Sequence, residues 1–206
     1  MIAVVDYGAG NLKSVKNALD YLRAPNMRAA TAKEIRSADA VILPGVGEFG
    51  SAMAEIEKRG IREALIEAAK SGKPFLGICL GMQLLFDESE ESPGARGLGL
   101  LPGGVLRFSS AMGLKIPHMG WNSIVPLKEG RLLAGLPRGS CMYFVHSYYV
   151  MAKARGQVAA VTEYGRIFDS AAEEENIFGC QFHPEKSGEA GLAILKNFIR
   201  IANGGR

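Results

Sequence analysis

A chain of 206 residues, 48% of them apolar and 22% charged, is long enough to bury a core of its own and is composed like a globular protein rather than a disordered one. The formal charge is only +3 and basic residues are interspersed with acidic ones, so nucleic acid is excluded as an expected partner. No window approaches the roughly 18 apolar residues of a membrane helix, and three cysteines without framework spacing fit a reducing compartment, so a soluble cytoplasmic protein is expected.

The chain opens on IAVVD, which reads as a buried strand and is too short for a signal peptide. NLKSVKNALDYL follows, with Leu12, Val15, Leu19 and Leu22 on one helical face and Asn11 placed to cap it. Thr31 and Glu34 have capping-box spacing ahead of a short helix. AVILPG is a second strand. IREALIEAAKSG is a helix with Ile61, Leu65 and Ala68 in phase and Gly72 as its stop, PFLGI a third strand, and LGMQLLF another helix. Strand–helix alternation of this kind implies a parallel sheet covered on both faces. The second half changes character: VLRF, WNSIVPL, CMYFVHSYYV, QVAAVTEYG and RIFDSAA are strand-like runs with Gly/Pro punctuation, which predicts antiparallel pairing. A last helix runs from about residue 191 to 203, with Leu192, Leu195 and Ile199 in phase. No linker or repeat interrupts the chain, so residues 1–206 read as one α/β domain.

Cys79 sits where PFLGI meets LGMQLLF. One reading makes it a small buried hydrophobe. The other takes G-I-C-L-G as the cysteine counterpart of the G-x-S-x-G elbow, a tight strand-to-helix turn with the nucleophile at its apex. There the helix N-terminus favours a thiolate and the Leu80 N–H can serve an oxyanion. In NIFGCQFHPEKSG, alternation puts Phe178, Cys180 and Phe182 on one face, and Gln181 and His183 on the other. In an extended chain His183 and Glu185 point the same way, roughly 6–7 Å apart at Cα. That suits a carboxylate orienting an imidazole which faces a thiol, although H-P-E alone also fits a surface histidine beside a solvated glutamate. A zinc site at Cys79 and His183 lacks the paired ligand spacing such sites use, so no metal is expected.

Taken together, GICLG and FHPE resemble the class-I, triad-type glutamine amidotransferases. With DYGAGNLKSV, LPGVGEFG, GLGLLPGGV, KIPHMGWN and YFVHSYY in order, the resemblance covers nearly the whole chain and narrows to the glutaminase subunits of imidazole glycerol phosphate synthases. It implies a flavodoxin-like open sandwich, a mostly parallel sheet flanked by helices with antiparallel strands added in the second half. It implies Cys79 as nucleophile, His183 as acid and base, and Glu185 as the residue that orients His183. The oxyanion donors would be Leu80 and the PGVG strand through Val46 and Gly47. Gly45, Gln83, His146, Ser147 and Tyr148 would line the L-glutamine site. No cofactor is implied. A (βα)8-barrel cyclase subunit is the implied partner, met by Asn11, Trp121, Tyr143 and Lys186, with His118 on the same side. Trp121, the single tryptophan, reads otherwise as a buried structural residue.

DYGAGN has the strand, G-x-G, helix order of a dinucleotide-binding turn, but Lys13 stands where the third glycine belongs, and a nucleotide cofactor is rejected. Residues 87–96 and 166–176 read as surface segments. Two alternatives stay open: a glutaminase serving another synthase, and a non-catalytic subunit on the same fold.

Overall fold

A computed structural model describes residues 1–8 and 11–205; Ala9 and Gly10, the middle of DYGAGN, lie outside the described residues together with Arg206. The first half alternates as the periodicity requires: β1 (Ile2–Val5), α1 (Leu12–Tyr21), β2 (Asn26–Ala29), α2 (Ala32–Ser37), β3 (Ala40–Gly45), α3 (Phe49–Lys58), α4 (Arg62–Lys70), β4 (Phe75–Cys79) and α5 (Leu80–Leu84). Two of these carry little signal. The four residues NMRA of β2 are too short and polar for alternation to register. Helix α3 has a glycine in its first turn and is capped by Glu48, whose carboxylate accepts from the Gly50 and Ser51 N–H groups at 3.2 and 2.7 Å. The Thr31–Glu34 capping box is present at α2. Asn11 does stand at the N-cap of α1, but its side chain accepts from the Ser14 hydroxyl (2.8 Å) rather than from a backbone N–H.

The second half supplies β5 (Glu88–Ser89), β6 (Gly103–Arg107), β7 (His118–Ser123), β8 (Val125–Pro126), β9 (Cys141–His146), β10 (Tyr148–Ala152), β11 (Val158–Glu163), β12 (Ile167–Glu174), β13 (Ile177–Cys180) and α6 (Gly188–Ala202). The sheet runs β2-β1-β3-β4-β13-β12-β10-β6-β5, parallel from β2 through β13 and antiparallel from β13 through β6. The parallel part has the order of a doubly wound fold, which places ligands at the carboxyl ends of its strands. Strands β7 and β9 form a separate antiparallel pair.

Alternation along β1 and β3 divides the core into two layers. Ala3, Val5, Val41 and Leu43 face Ile35, Ile56 and Leu65 of α2, α3 and α4. Ile2, Val4, Ala40 and Ile42 face Val15 and Leu19 of α1 and Leu195 and Phe198 of α6. Both faces of the sheet are thus covered, and its apolar runs need no polar side.

The surface reading of residues 166–176 fails. Phe168 to Glu173 are all buried in β12, and the two carboxylates among them carry partners inside. Asp169 accepts from the Ala152 N–H and pairs with Arg155 at 2.8 Å, and Glu173 accepts from the Arg131 and Leu132 N–H groups. Residues 87–96 do lie at the surface, with Ser89 alone buried, but Glu91 accepts from the Phe49 N–H at 2.9 Å and Ser92 from that of Gly50.

Candidate active site

Cys79 ends β4 with φ 55° and ψ −112°, a conformation non-glycine residues adopt at a cost of about 1–3 kcal/mol. The glycines around it are there for contact. A Cβ on Gly81 would lie 1.8 Å from the Leu43 carbonyl oxygen, and one on Gly77 would lie 2.6 Å from that of Gly81. The elbow is therefore pressed against the end of β3, where Gly45 pairs with Cys79 across the sheet. A Cβ on Gly45 would meet the Tyr7 hydroxyl at 2.6 Å and Leu80 Cβ at 2.8 Å. Packing on three sides over-determines the strained residue, and Leu80 opens α5 directly behind it.

Strand β13 lies beside β4, with Cys180 opposite Ile78, and the chain continues through Gln181 to His183. Cys180 is fully buried, as its place on the Phe178 face predicts. Glu185 is not reached through an extended segment. Pro184–Lys186 form a single 3₁₀ turn, which brings the Glu185 carboxylate within 2.9 Å of His183 Nδ1. Both side chains are almost wholly shielded from solvent. Nε2 of His183 is buried and makes no hydrogen bond of standard geometry to any described residue. Burial disfavours its charged form, but the Cys79 sulfur and the Glu185 carboxylate outweigh that and push His183 well above its ordinary value. His183 and Cys79 line one cleft, the placement in which an imidazole can serve a thiol nucleophile.

That cleft has a volume of about 340 Å³ and is lined by Val46, Gly47, Cys79, Leu80, Gln83, His146, Ser147, Tyr148 and His183, with Pro117, Val145 and Glu91. Of the residues read from the sequence, Gly45 lies behind this lining and Glu185 behind His183. Gly47 has φ +103°, with open space where a Cβ would stand. Gln83 turns inward: its Nε2 donates to the Tyr148 carbonyl and to Gln181 Oε1, both at 3.0 Å.

His146 is committed at both nitrogens. Nδ1–H donates to the Tyr148 carbonyl (2.7 Å), which leaves Nε2 to accept from His118 Nδ1 (3.0 Å). His118 Nε2 in turn lies 3.3 Å from the Asn122 amide. His118 is therefore an interior residue and not a surface one, stacked between Phe144 and Tyr164. Burial lowers His118 to about 4 and His146 to about 3, so both rings are neutral near pH 7.

The sequence reading misses three lining residues, Pro117, Val145 and Glu91, of which only Glu91 is charged. It is held at the cleft by the Phe49 N–H, a contact across 42 positions that no local pattern reports. Burial and the nearby Glu48 raise it, although the Phe49 N–H opposes them.

Trp121, Tyr143 and Lys186 lie outside the cleft as one patch. Trp121 is 60% exposed, so the buried-structural reading does not hold. Its ring meets that of Tyr143 edge-on at 6.1 Å, and Lys186 Nζ lies 5.9 Å from the centre of the Tyr143 ring. Asn11 opens α1, which packs against the Pro184–Lys186 turn. Among the described residues no three His, Cys, Asp or Glu side chains gather as a metal site would require, and no helix is long and apolar enough to cross a membrane.

The sequence profile of the class-I glutamine amidotransferases matches residues 3–202. The imidazole glycerol phosphate synthase subunit HisH of Methanothermobacter thermautotrophicus is 50% identical over 201 residues, 98% of either chain. The subunit of the same name from Bacillus cereus is 50% identical over 198 residues, 96% of this chain and 93% of that one. Among solved structures, a glutamine amidotransferase superposes with a TM-score of 0.77 at 20% identity, covering 98% of this chain and all of that one. PurLQS from Thermotoga maritima gives 0.75 at 21% identity, with 97% of each chain covered. The structural likenesses establish the fold.

Proposed function

This chain belongs to the class-I glutamine amidotransferases, and from that premise we propose that Cys79 is its nucleophile, His183 the acid and base that serves it, and Glu185 the carboxylate that holds the imidazole. The chain is the glutaminase subunit of imidazole glycerol phosphate synthase: it hydrolyses glutamine and passes the ammonia to the cyclase in histidine biosynthesis. The observation that carries the residue assignment is the strained Cys79 facing, across one cleft, a histidine whose other nitrogen is held at 2.9 Å by a shielded carboxylate.

The Cys79 thiolate attacks the side-chain carbonyl of glutamine, forming an S–C bond and a tetrahedral oxyanion. The Leu80 N–H and a donor from Val46–Gly47 face that charge as it develops. His183 gives its proton to the departing nitrogen, the C–N bond breaks, and ammonia leaves. His183, now neutral, takes a proton from water, whose oxygen attacks the γ-glutamyl thioester. Glutamate is released and the thiolate returns. Glu91 supplies a carboxylate for the substrate's α-ammonium, and Gly45, Gln83, His146, Ser147 and Tyr148 shape the rest of the cleft. Because both nitrogens of His146 are occupied, it acts as a wall and not as a donor.

Free ammonia at neutral pH becomes ammonium, which is not a nucleophile, so the product must pass straight to a partner. We assign that part to a (βα)8-barrel cyclase docking on Asn11, Trp121, Tyr143 and Lys186. The exposed aromatic pair at Trp121 is the kind of anchor that interfaces use. The whole chain acts as one amidotransferase unit in the cytoplasm. Glutamate release by the purified chain, alone and with the cyclase and its ligand, tests this reading. Release that requires the complex and disappears in Cys79→Ala supports it, whereas undiminished release by Cys79→Ala refutes the nucleophile.

A further inference from the structure

Gln181 has no part in the chemistry above, yet it is fully buried between the cleft wall and the nucleophile. Its backbone N–H is fixed on the Ser170 carbonyl at 2.9 Å. Its side-chain amide spans two partners, Gln83 Nε2 at 3.0 Å and Cys79 Sγ at 3.8 Å. Which end of an amide faces which partner is set by the network around it, and here a backbone carbonyl sets it. The Tyr148 oxygen can only accept, so the Gln83 atom 3.0 Å from it is the NH2 group. The same NH2 group reaches Gln181, which must therefore present its oxygen to Gln83. The Gln181 NH2 is left facing the sulfur. The Val145 carbonyl oxygen also lies 3.9 Å from the sulfur, an acceptor that suits a neutral thiol and opposes a thiolate.

We propose that Gln181 is a positioning residue for the nucleophile: its amide N–H donates to Cys79 Sγ and offsets the Val145 carbonyl, so that negative charge can rest on the sulfur. The Tyr148 carbonyl, through Gln83, locks that donor in place. A donor to the charged form of a group favours that form. The ionisable groups around the sulfur are His183 from the turn after β13, Tyr7 from the segment after β1, Cys180 on β13, and Glu91 and His146 lining the same cleft, and the Gln181 side chain hydrogen-bonds to none of them. The proposal rests on Cys79 as nucleophile, but its test does not, because a thiol can be alkylated whether or not it turns over substrate.

The experiment is site-resolved iodoacetamide labelling of the full chain across pH, read by peptide mass spectrometry. Exposed Cys141 serves as the internal reference. Gln181→Met keeps the length of the side chain and removes the donor. The pH midpoint of Cys79 labelling should rise by about one unit, and its rate at pH 7 should fall ~10-fold, with Cys141 unchanged. Gln181→Glu, which accepts and cannot donate when ionised, should shift the midpoint further the same way. If Gln181→Met does not fold, Gln83→Met decides, since it unlocks the amide and should give a smaller shift of the same sign. A Cys79 midpoint that coincides with that of the unaltered chain in the folded variant overturns the proposal and leaves Gln181 a satisfied core amide. Loss of glutaminase activity in Gln181→Met with an unmoved midpoint overturns it equally.

Discussion

Along β1, β3 and β4 every residue is buried, whereas along β9 buried positions alternate with partly or fully exposed ones and along β7 only His118 is buried. The parallel region is an apolar frame closed on both faces, and it presents one strained residue at its edge. In the antiparallel pair Met142 and Phe144 of β9 face the core beside His118 of β7, Val145 and His146 at the end of β9 reach the cleft, and Trp121 with Tyr143 forms an aromatic patch outside it. Rigidity and strain belong to the first region, and polar interior chemistry to the second. The histidines divide in the same way. His118 and His146 are buried and neutral inside the antiparallel region, while His183, where the two regions meet, is held towards its charged form.

The largest effect that would sharpen this contrast lies at the elbow. Cys79→Gly should abolish glutamine hydrolysis, by ~10⁴-fold or more, and raise stability by about 1 kcal/mol, because glycine accepts the conformation that cysteine strains to hold. Assay and thermal melting should therefore move in opposite directions, and a variant both inactive and destabilised would show that the frame does not strain Cys79. Next comes the close packing of that frame. Gly81→Ala puts a Cβ against the Leu43 oxygen and should cost about 3 kcal/mol or more, measurable by urea denaturation. An alanine tolerated there would mean that β3 and the elbow can part.

In the antiparallel region the expected effect is on pH dependence. Between about pH 6.5 and 4 the unfolded chain protonates His118 and His146 while the folded one does not. The unfolded state then binds more protons, so stability falls as pH falls through that window. The melting temperature should drop by roughly 5 °C from pH 6.5 to 4.5, and His118→Gln should flatten the acid limb. His183 has the opposite sign: its contribution is complete below about 6.5 and is lost as pH rises towards about 10. The smallest effect on stability is expected at the exposed patch. Trp121→Ala should alter the melting free energy by no more than about 0.5 kcal/mol while weakening cyclase binding, which titration calorimetry would separate from any folding defect.

The parallel frame was legible because burial on both faces writes itself as uninterrupted runs such as AVILPG, and because helices α1, α2 and α4 carry either a periodic stripe or a cap. The strand-to-helix elbow at Cys79 was legible because its pattern is local, whereas His183 and Glu185 were joined to it through the likeness of GICLG and FHPE to the amidotransferase family, since nothing local links residues about a hundred positions apart. Glu91 and the His118–His146 pair were not legible, since what defines them is a partner 42 or 28 positions away. Strand β12 read as surface for the same reason. Asp169 and Glu173 look solvated until Arg155 and the N–H groups of Arg131 and Leu132 are brought to them. The Pro184–Lys186 turn defeated an extended reading because proline restricts the residue before it and leaves the residues after it free to turn.

Strand β13 is the last of the chain yet lies mid-sheet, between β4 and β12. During synthesis β4 therefore emerges about a hundred residues before its neighbour, with an apolar edge open and Cys79 without its histidine. The parallel part of the sheet can close only after residues 177–180 have left the ribosome. Pairing across so long a loop is slow and leaves the unfinished sheet exposed to aggregation. The same order means that the cleft lined by Cys79 and His183 cannot take shape until β13 has joined the sheet.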